Sequence, residues 1–117
     1  MPKQASAMKK TEPKRGVRGS RTGRPIMVLL DLLGRRWSLR ILWELRAGPL
    51  TSRALRAACD EASPTVLQAR LSELREADFI ELVPASGYAL TATGRELNET
   101  FLPLHRFAER WSKRAVS

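Results

Sequence analysis

The segment Ala62-Ser-Pro-Thr-Val-Leu-Gln-Ala-Arg-Leu-Ser-Glu-Leu-Arg-Glu-Ala-Asp-Phe-Ile80 limits what the chain can fold into more than any other, because it joins a defined helix start to a one-sided helix and then to β-prone sequence. Ser63 is able to accept hydrogen bonds from the free N–H groups of a first helical turn. Pro64, at the first helical position, has no N–H to leave unpaired and a φ already set for helix. Leu67, Leu71, Leu74 and Ala77 follow at spacings of four, three and three, which places them on one buried face. Thr65, Gln68, Ala69, Ser72 and Glu76 are left facing outward.

The neighbouring segments supply a setting for that helix. Ile26 to Leu33 is apolar on nearly every side and ends at Gly34, so a first helix here needs cover on more than one face. Arg35 to Arg46 reads as a second helix with Trp37, Ile41, Leu42 and Leu45 inward, stopped by Ala47-Gly48-Pro49. Thr51-Ser52 can cap a short third helix through Ala58, centred on Leu55, and Cys59 to Ala62 turns the chain into the helix described above. Phe79 to Val83 and Tyr88 to Thr91 are short β-prone runs joined by Pro84-Ala-Ser-Gly87, a tight hairpin in which Gly87 is free to take a positive φ. A last helix is expected from Thr93, which forms a capping box with Glu96, and Pro103 is placed to kink it. Its Leu97, Phe101, Leu104, Ala108, Trp111 and Ala115 alternate spacings of four and three, a seam for another helix. Two helices about a turn, followed by a hairpin, make a winged helix-turn-helix. The expected fold is mainly α with a small β-hairpin, and its N- and C-terminal helices are suited to dimerisation.

At 117 residues and 43% hydrophobic content the chain can bury one modest core. The formal charge of +9 is unevenly placed. Residues 1–24 hold eight basic side chains against Glu12, a net of +7, while the remainder is nearly balanced at +2. The 1–24 segment has no Ile, Leu, Phe, Trp or Tyr and is broken by Gly16, Gly19 and Gly23, so it reads as a basic, disordered tail ahead of a 25–117 domain. No apolar segment follows the early lysines and the longest apolar run is Ile26 to Leu30, which predicts a cytoplasmic protein associated with the nucleoid and no membrane partner. The one cysteine, Cys59, excludes an intrachain disulfide and a cysteine-based zinc site.

Such a fold presents its fourth helix to the DNA major groove, so Ser63, Pro64, Thr65, Gln68, Ala69, Arg70 and Ser72 are the candidate DNA-binding residues. Glutamine can pair with adenine, and a threonine or alanine methyl can contact thymine. Arg70 has two open readings, a phosphate or guanine contact and a structural ion pair with Glu73 or Glu44. Arg53 and Arg56 are candidate phosphate anchors, and Ala85, Ser86 and Gly87 form the wing tip. Arg15, Arg18, Arg21 and Arg24 lie in an arginine–glycine arm ending in Gly-Arg-Pro, which resembles the core of an AT-hook; non-specific attraction to DNA is favoured over minor-groove insertion. Leu29, Leu33, Leu97, Phe101, Leu104, Ala108 and Trp111 are the candidate dimer contacts. Cys59 reads as a small core residue and His105 as a surface or interface residue. No nucleophile, base and oxyanion site is assembled by the sequence, so an enzyme is not expected, and no cofactor or metal is called for.

From about Arg24 to Trp111 the chain resembles the HxlR-type winged helix-turn-helix transcriptional regulators. The resemblance rests on Leu30-Asp-Leu-Leu-Gly34 with Trp37, Ile41-Leu42, Glu44-Leu45 and Gly48-Pro49. It continues in Ser63-Pro64, Leu67, Arg70-Leu71, Glu73-Leu74 and Ala77, then in Tyr88-Ala-Leu-Thr91 with Gly94, and in Leu102-Pro103 through Trp111. It implies homodimers that bind operator DNA and regulate neighbouring transcription. Many members have a cysteine just before the proline of the first helix, which in some senses oxidants or electrophiles; this chain has Arg24 there. The family's wing is usually longer and basic, whereas Asp78 through Gly94 contains no lysine or arginine.

The expected function is therefore sequence-specific regulation of transcription by a homodimer on an inverted-repeat operator, with double-stranded DNA as partner and an unidentified small-molecule effector. The alternative is a winged-helix docking module without sequence-specific DNA binding. An RNA-binding role would use the same tail but lacks an RNA-recognition sheet with stacking aromatics.

Overall fold

A computed structural model describes residues 23–116. The expectations for the basic tail, Arg15, Arg18 and Arg21 among them, fall outside the described residues apart from Gly23 and Arg24. Five helices and one hairpin follow in the order α1 (Pro25–Leu33), α2 (Ser38–Glu44), α3 (Ser52–Ala58), α4 (Pro64–Glu76), β1 (Ile80–Val83), β2 (Gly87–Leu90) and α5 (Ala92–Val116). This is the mostly helical winged helix-turn-helix read from the sequence.

Extended backbone at Arg24 and Pro25 as first residue start α1, and the Gly34 N–H closes it on the Leu30 carbonyl at 2.8 Å. The second helix corrects the sequence reading. It begins at Ser38, not Arg35, because Trp37 takes a left-handed φ of 76° and packs its ring against the core. After Glu44 the chain tightens into a 3-10 turn over Leu45–Ala47. Thr51 Oγ1 accepts the Ala54 N–H at 3.1 Å and caps α3 as expected. Asp60 and Glu61, with φ of 54° and 58°, reverse the chain between α3 and α4.

The hairpin is antiparallel with Ile80 opposite Leu90, Leu82 opposite Tyr88 and Val83 opposite Gly87. Leu50 adds a short bridge to its outer edge, exchanging N–H and carbonyl bonds with Tyr88 at 2.9 and 2.7 Å. That pairing brings Gly87 onto the Leu50–Thr51 backbone, where a Cβ would lie 2.6 Å from the Leu50 carbonyl carbon. The absence of a side chain at Gly87 thus allows the third β-segment as well as its φ of 104°.

The last helix begins at Ala92, capped by Thr91 through its hydroxyl and the Gly94 N–H at 3.0 Å, so the cap lies two residues before the Thr93 expected from sequence. It runs on through Pro103 as one element. Leu33, Ile41, Leu42, Leu45, Leu55, Leu67, Leu71, Leu74, Ile80, Leu90 and Leu97 build the core, with α1 contributing Leu33 alone among its fully covered residues. Each such side chain, fully buried, stabilises the fold by roughly 1.5–3 kcal/mol. Asn98 Nδ2 donates to the Leu42 carbonyl at 2.8 Å and ties α5 to α2.

Candidate nucleic-acid interface

The inward leucines of α4 fix which of its residues face out. Leu67, Leu71 and Leu74 are buried, and Thr65, Gln68, Ser72 and Glu76 are exposed. Ala69, expected in the same outer set, is half-buried. Ser63 Oγ accepts the Val66 N–H at 3.4 Å, and with Pro64 it sets the start of the helix as read from sequence. The outward face is short and uncharged over its first three turns apart from Arg70 and Glu73 at its flank, a surface able to match donor and acceptor edges of bases.

Arg70 is placed by an ion pair. Its Nη1 lies 2.7 Å from Glu73 Oε1, while its Nε is buried without a hydrogen-bond partner. Glu44, the other partner considered, is paired with Arg40 at 2.8 Å. The second oxygen of Glu73 meets Arg35 Nη1 at 3.1 Å, and Arg35 Nη2 meets Asp31 Oδ2 at 3.0 Å. Partial burial of Arg35 opposes its charge, yet the hydrogen bonds to Asp31 and Glu73 outweigh this and hold the guanidinium above its ordinary pKa.

The two candidate phosphate anchors on α3 differ. Arg53 is exposed, whereas Arg56 Nε donates to the Ala62 carbonyl at 2.9 Å and its Nη1 lies 3.5 Å from Glu61 Oε1, bracing the turn into α4. At the wing, Ala85 and Ser86 are exposed and Gly87 is half-buried. Ala85 holds a φ of 67°, and the Ser86 N–H donates to the Val83 carbonyl at 3.0 Å. Arg24 is exposed at the start of α1.

The apolar surface is redistributed relative to the sequence reading. Leu33 and Leu97 are 4% and 9% exposed and belong to the chain's own core. Leu29 and Phe101 pack against that core and are partly covered. Ala108 is exposed, and Leu104 and Trp111 stand open at 55% and 58%. Phe107 on α5 and Ile26 and Leu30 on α1 are similarly exposed but were not singled out from sequence. The four-residue step from Ile26 to Leu30 carried that signal, masked by an apolar run in which every face looked equally suited to burial.

His105 stacks on Trp43 with ring centroids 3.8 Å apart, and the Arg46 guanidinium carbon lies 3.7 Å from the Trp43 ring centroid. Cys59 is fully buried, and burial pushes its thiol above the ordinary range. Among the described residues no helix is long and apolar enough to cross a membrane.

Residues 32–116 match the family described as HxlR-like helix-turn-helix. An uncharacterized HTH-type transcriptional regulator of Synechocystis sp. is 32% identical over 93 residues, covering 74% of this chain and 69% of the relative. The quinone-bound YodB from B. subtilis is similar in structure with a TM-score of 0.67 at 27% identity, over 73% of this chain and 94% of that one. Its reduced form gives 0.64 at 28% identity, over 74% and 92%. A possible HxlR family transcriptional factor from Thermoplasma volcanium shares the fold with a TM-score of 0.66 at 24% identity, over 73% and 82%.

Proposed function

The chain belongs to the HxlR-like helix-turn-helix family of transcriptional regulators, and from that premise we propose that it acts as a homodimer on an inverted-repeat operator, reading bases with the outer face of α4. The observation that carries this reading is the exposed Thr65, Gln68 and Ser72 on a helix locked from beneath by Leu67, Leu71 and Leu74. A helix already fixed by its buried face has no backbone left to order when its side chains meet base edges, so only side-chain ordering opposes the contact.

Arg53 on α3, the N–H groups at the start of α4 and the arginines of residues 15–24 contact phosphates in this reading. The wing contributes no positive charge, since Asp78 to Gly94 carries Asp78 and Glu81 and no basic residue. Dimer contacts come from the open apolar side chains of α5 and α1.

A small-molecule effector is proposed by analogy with the quinone-bound relative. Cys59, buried and with its thiol raised, is not the group proposed to meet it. Selection of binding sites from random duplexes tests the whole reading. Enrichment of an inverted repeat is the expected result; no enrichment would instead favour a docking module.

A further inference from the structure

One guanidinium joins the first helix to the reading helix. Arg35 stands just beyond α1, in the corner before α2, and uses two different nitrogens for two carboxylates: Nη2 to Asp31 on α1 at 3.0 Å and Nη1 to Glu73 on α4 at 3.1 Å. Asp31 is nearly buried, with its side chain 7% exposed, and Glu73 in turn holds Arg70 at 2.7 Å. The charges alternate along the line Asp31, Arg35, Glu73, Arg70, so each group is flanked by opposite sign. A planar fork suits this role because its nitrogens point in fixed directions, whereas a lysine ammonium is a point charge whose three rotatable donors impose no such geometry.

The two ends of this line lie beside the two surfaces that operator binding requires. On α1, Asp31 is next to Leu30, which with Ile26 forms the exposed apolar edge. On α4, Arg70 and Glu73 flank Ser72 of the outward face. A rotation of α4 about its own axis swings Gln68 and Ser72 and also stretches the Glu73–Arg35 contact.

We propose that Arg35 is a positioning residue for DNA recognition, which fixes the angle of α4 relative to α1 and so sets the half-site spacing that a dimer accepts. It touches no base itself. The inference rests on the operator-binding dimer proposed above. In that dimer α1 lies at the subunit contact, so the Arg35 bridge relates the reading face to the dimer axis. Loss of a bridge that merely stabilised the fold would lower affinity for every spacing in equal proportion.

The test measures affinity of the full chain for its selected inverted repeat and for versions with one base pair added or removed between half-sites, in the wild type, Arg35→Gln and Glu73→Gln. Sedimentation checks that each remains dimeric. Glu73→Gln removes the α4 end while leaving the Asp31–Arg35 pair, and serves if Arg35→Gln does not fold. The expected result is a spacing penalty of tenfold or more in the wild type that shrinks severalfold in both variants, with Arg35→Lys retaining an intermediate penalty. A wild-type spacing penalty left intact in the variants overturns the positioning role alone. No inverted repeat, or no spacing preference in the wild type, overturns the dimeric operator reading and the inference with it.

Discussion

The hydroxyl of Thr91 donates to the carbonyl oxygen of Asp78 at 2.6 Å, tying the residue before α5 to the turn that leaves α4. The Thr91 hydroxyl oxygen itself accepts the Gly94 N–H at 3.0 Å, and the Thr91 N–H donates to the Phe79 carbonyl at 3.0 Å. One threonine therefore ends the hairpin, starts the last helix and anchors both to the end of α4. Thr91→Ala is expected to cost about 1 kcal/mol, within the usual 0.5–2 for a lost cap, whereas Thr93→Ala is expected to fall within about 0.5 kcal/mol of wild type. Urea denaturation of the two variants decides between the cap positions; a larger loss at Thr93 would place the cap where the local sequence pattern does.

That pair of threonines also illustrates which parts of the fold were legible. Thr93 with Glu96 satisfies a capping-box pattern, and Thr91 offers only a glycine three residues on, so local rules favour the wrong one. The choice is made by Phe79 and Asp78, which are close only after the hairpin has folded. Trp37 was opaque for the same reason: no local preference puts a tryptophan at a φ of 76°, and burial of its ring against the core does. By contrast α4 was readable to its first residue, because Ser63, Pro64 and the leucine spacing are all local signals. The Arg35–Glu73 contact at the candidate site spans 38 positions of sequence and had no such signal.

Gly94 supports the same junction by having no side chain. It is buried, and a Cβ there would collide with the Phe79 carbonyl oxygen and lie 3.1 Å from its carbon. Because the obstacle is backbone held in the Thr91 contact, it has little room to yield. Gly94→Ala is expected to destabilise the domain by about 1–3 kcal/mol despite alanine's better helix propensity. A melting temperature equal to or above that of the wild type would mean that the start of α5 shifts freely.

Gln68 is the outward side chain best equipped to read a base, since its amide can make two hydrogen bonds to one adenine. Gln68→Ala is expected to cost roughly 1–3 kcal/mol on the selected operator and little on random duplex. Its exposure means the fold should not suffer, so unchanged thermal stability is part of the expectation. Equal losses on operator and random DNA would assign Gln68 no part in reading sequence.

Residues 1–22 carry seven basic side chains against Glu12, and their removal leaves Arg24 in place as the start of α1. If these side chains meet phosphates, each contact contributes about −0.9 to the slope of log affinity against log salt. The shortened chain is expected to bind operator and random DNA more weakly and to give a shallower slope on both. Titrations at several salt concentrations measure this directly, and an unchanged slope would mean that the tail stays off the DNA.

The last prediction concerns assembly. Leu104, Phe107 and Trp111 follow one another at spacings of three and four on α5 and remain open to solvent, while Phe101 packs on the core of its own chain. A 25-residue helix is about 37 Å long, and its outer half carries this stripe away from the wing. Large open apolar groups in series at helical spacing call for a partner helix, and a second copy related by two-fold symmetry presents the same stripe. Such a dimer fixes the separation of the two reading helices, which for successive major grooves is about 34 Å. Leu104→Ser combined with Trp111→Ser is the informative variant, because neither side chain belongs to the core, whereas replacing Phe101 would also loosen the chain's own packing. The expected product is a folded monomer in sedimentation that keeps non-specific DNA binding and loses its preference for the inverted repeat. A wild-type chain that sediments as a monomer at micromolar concentration, or a double variant that stays dimeric, would show that subunits do not meet through this stripe.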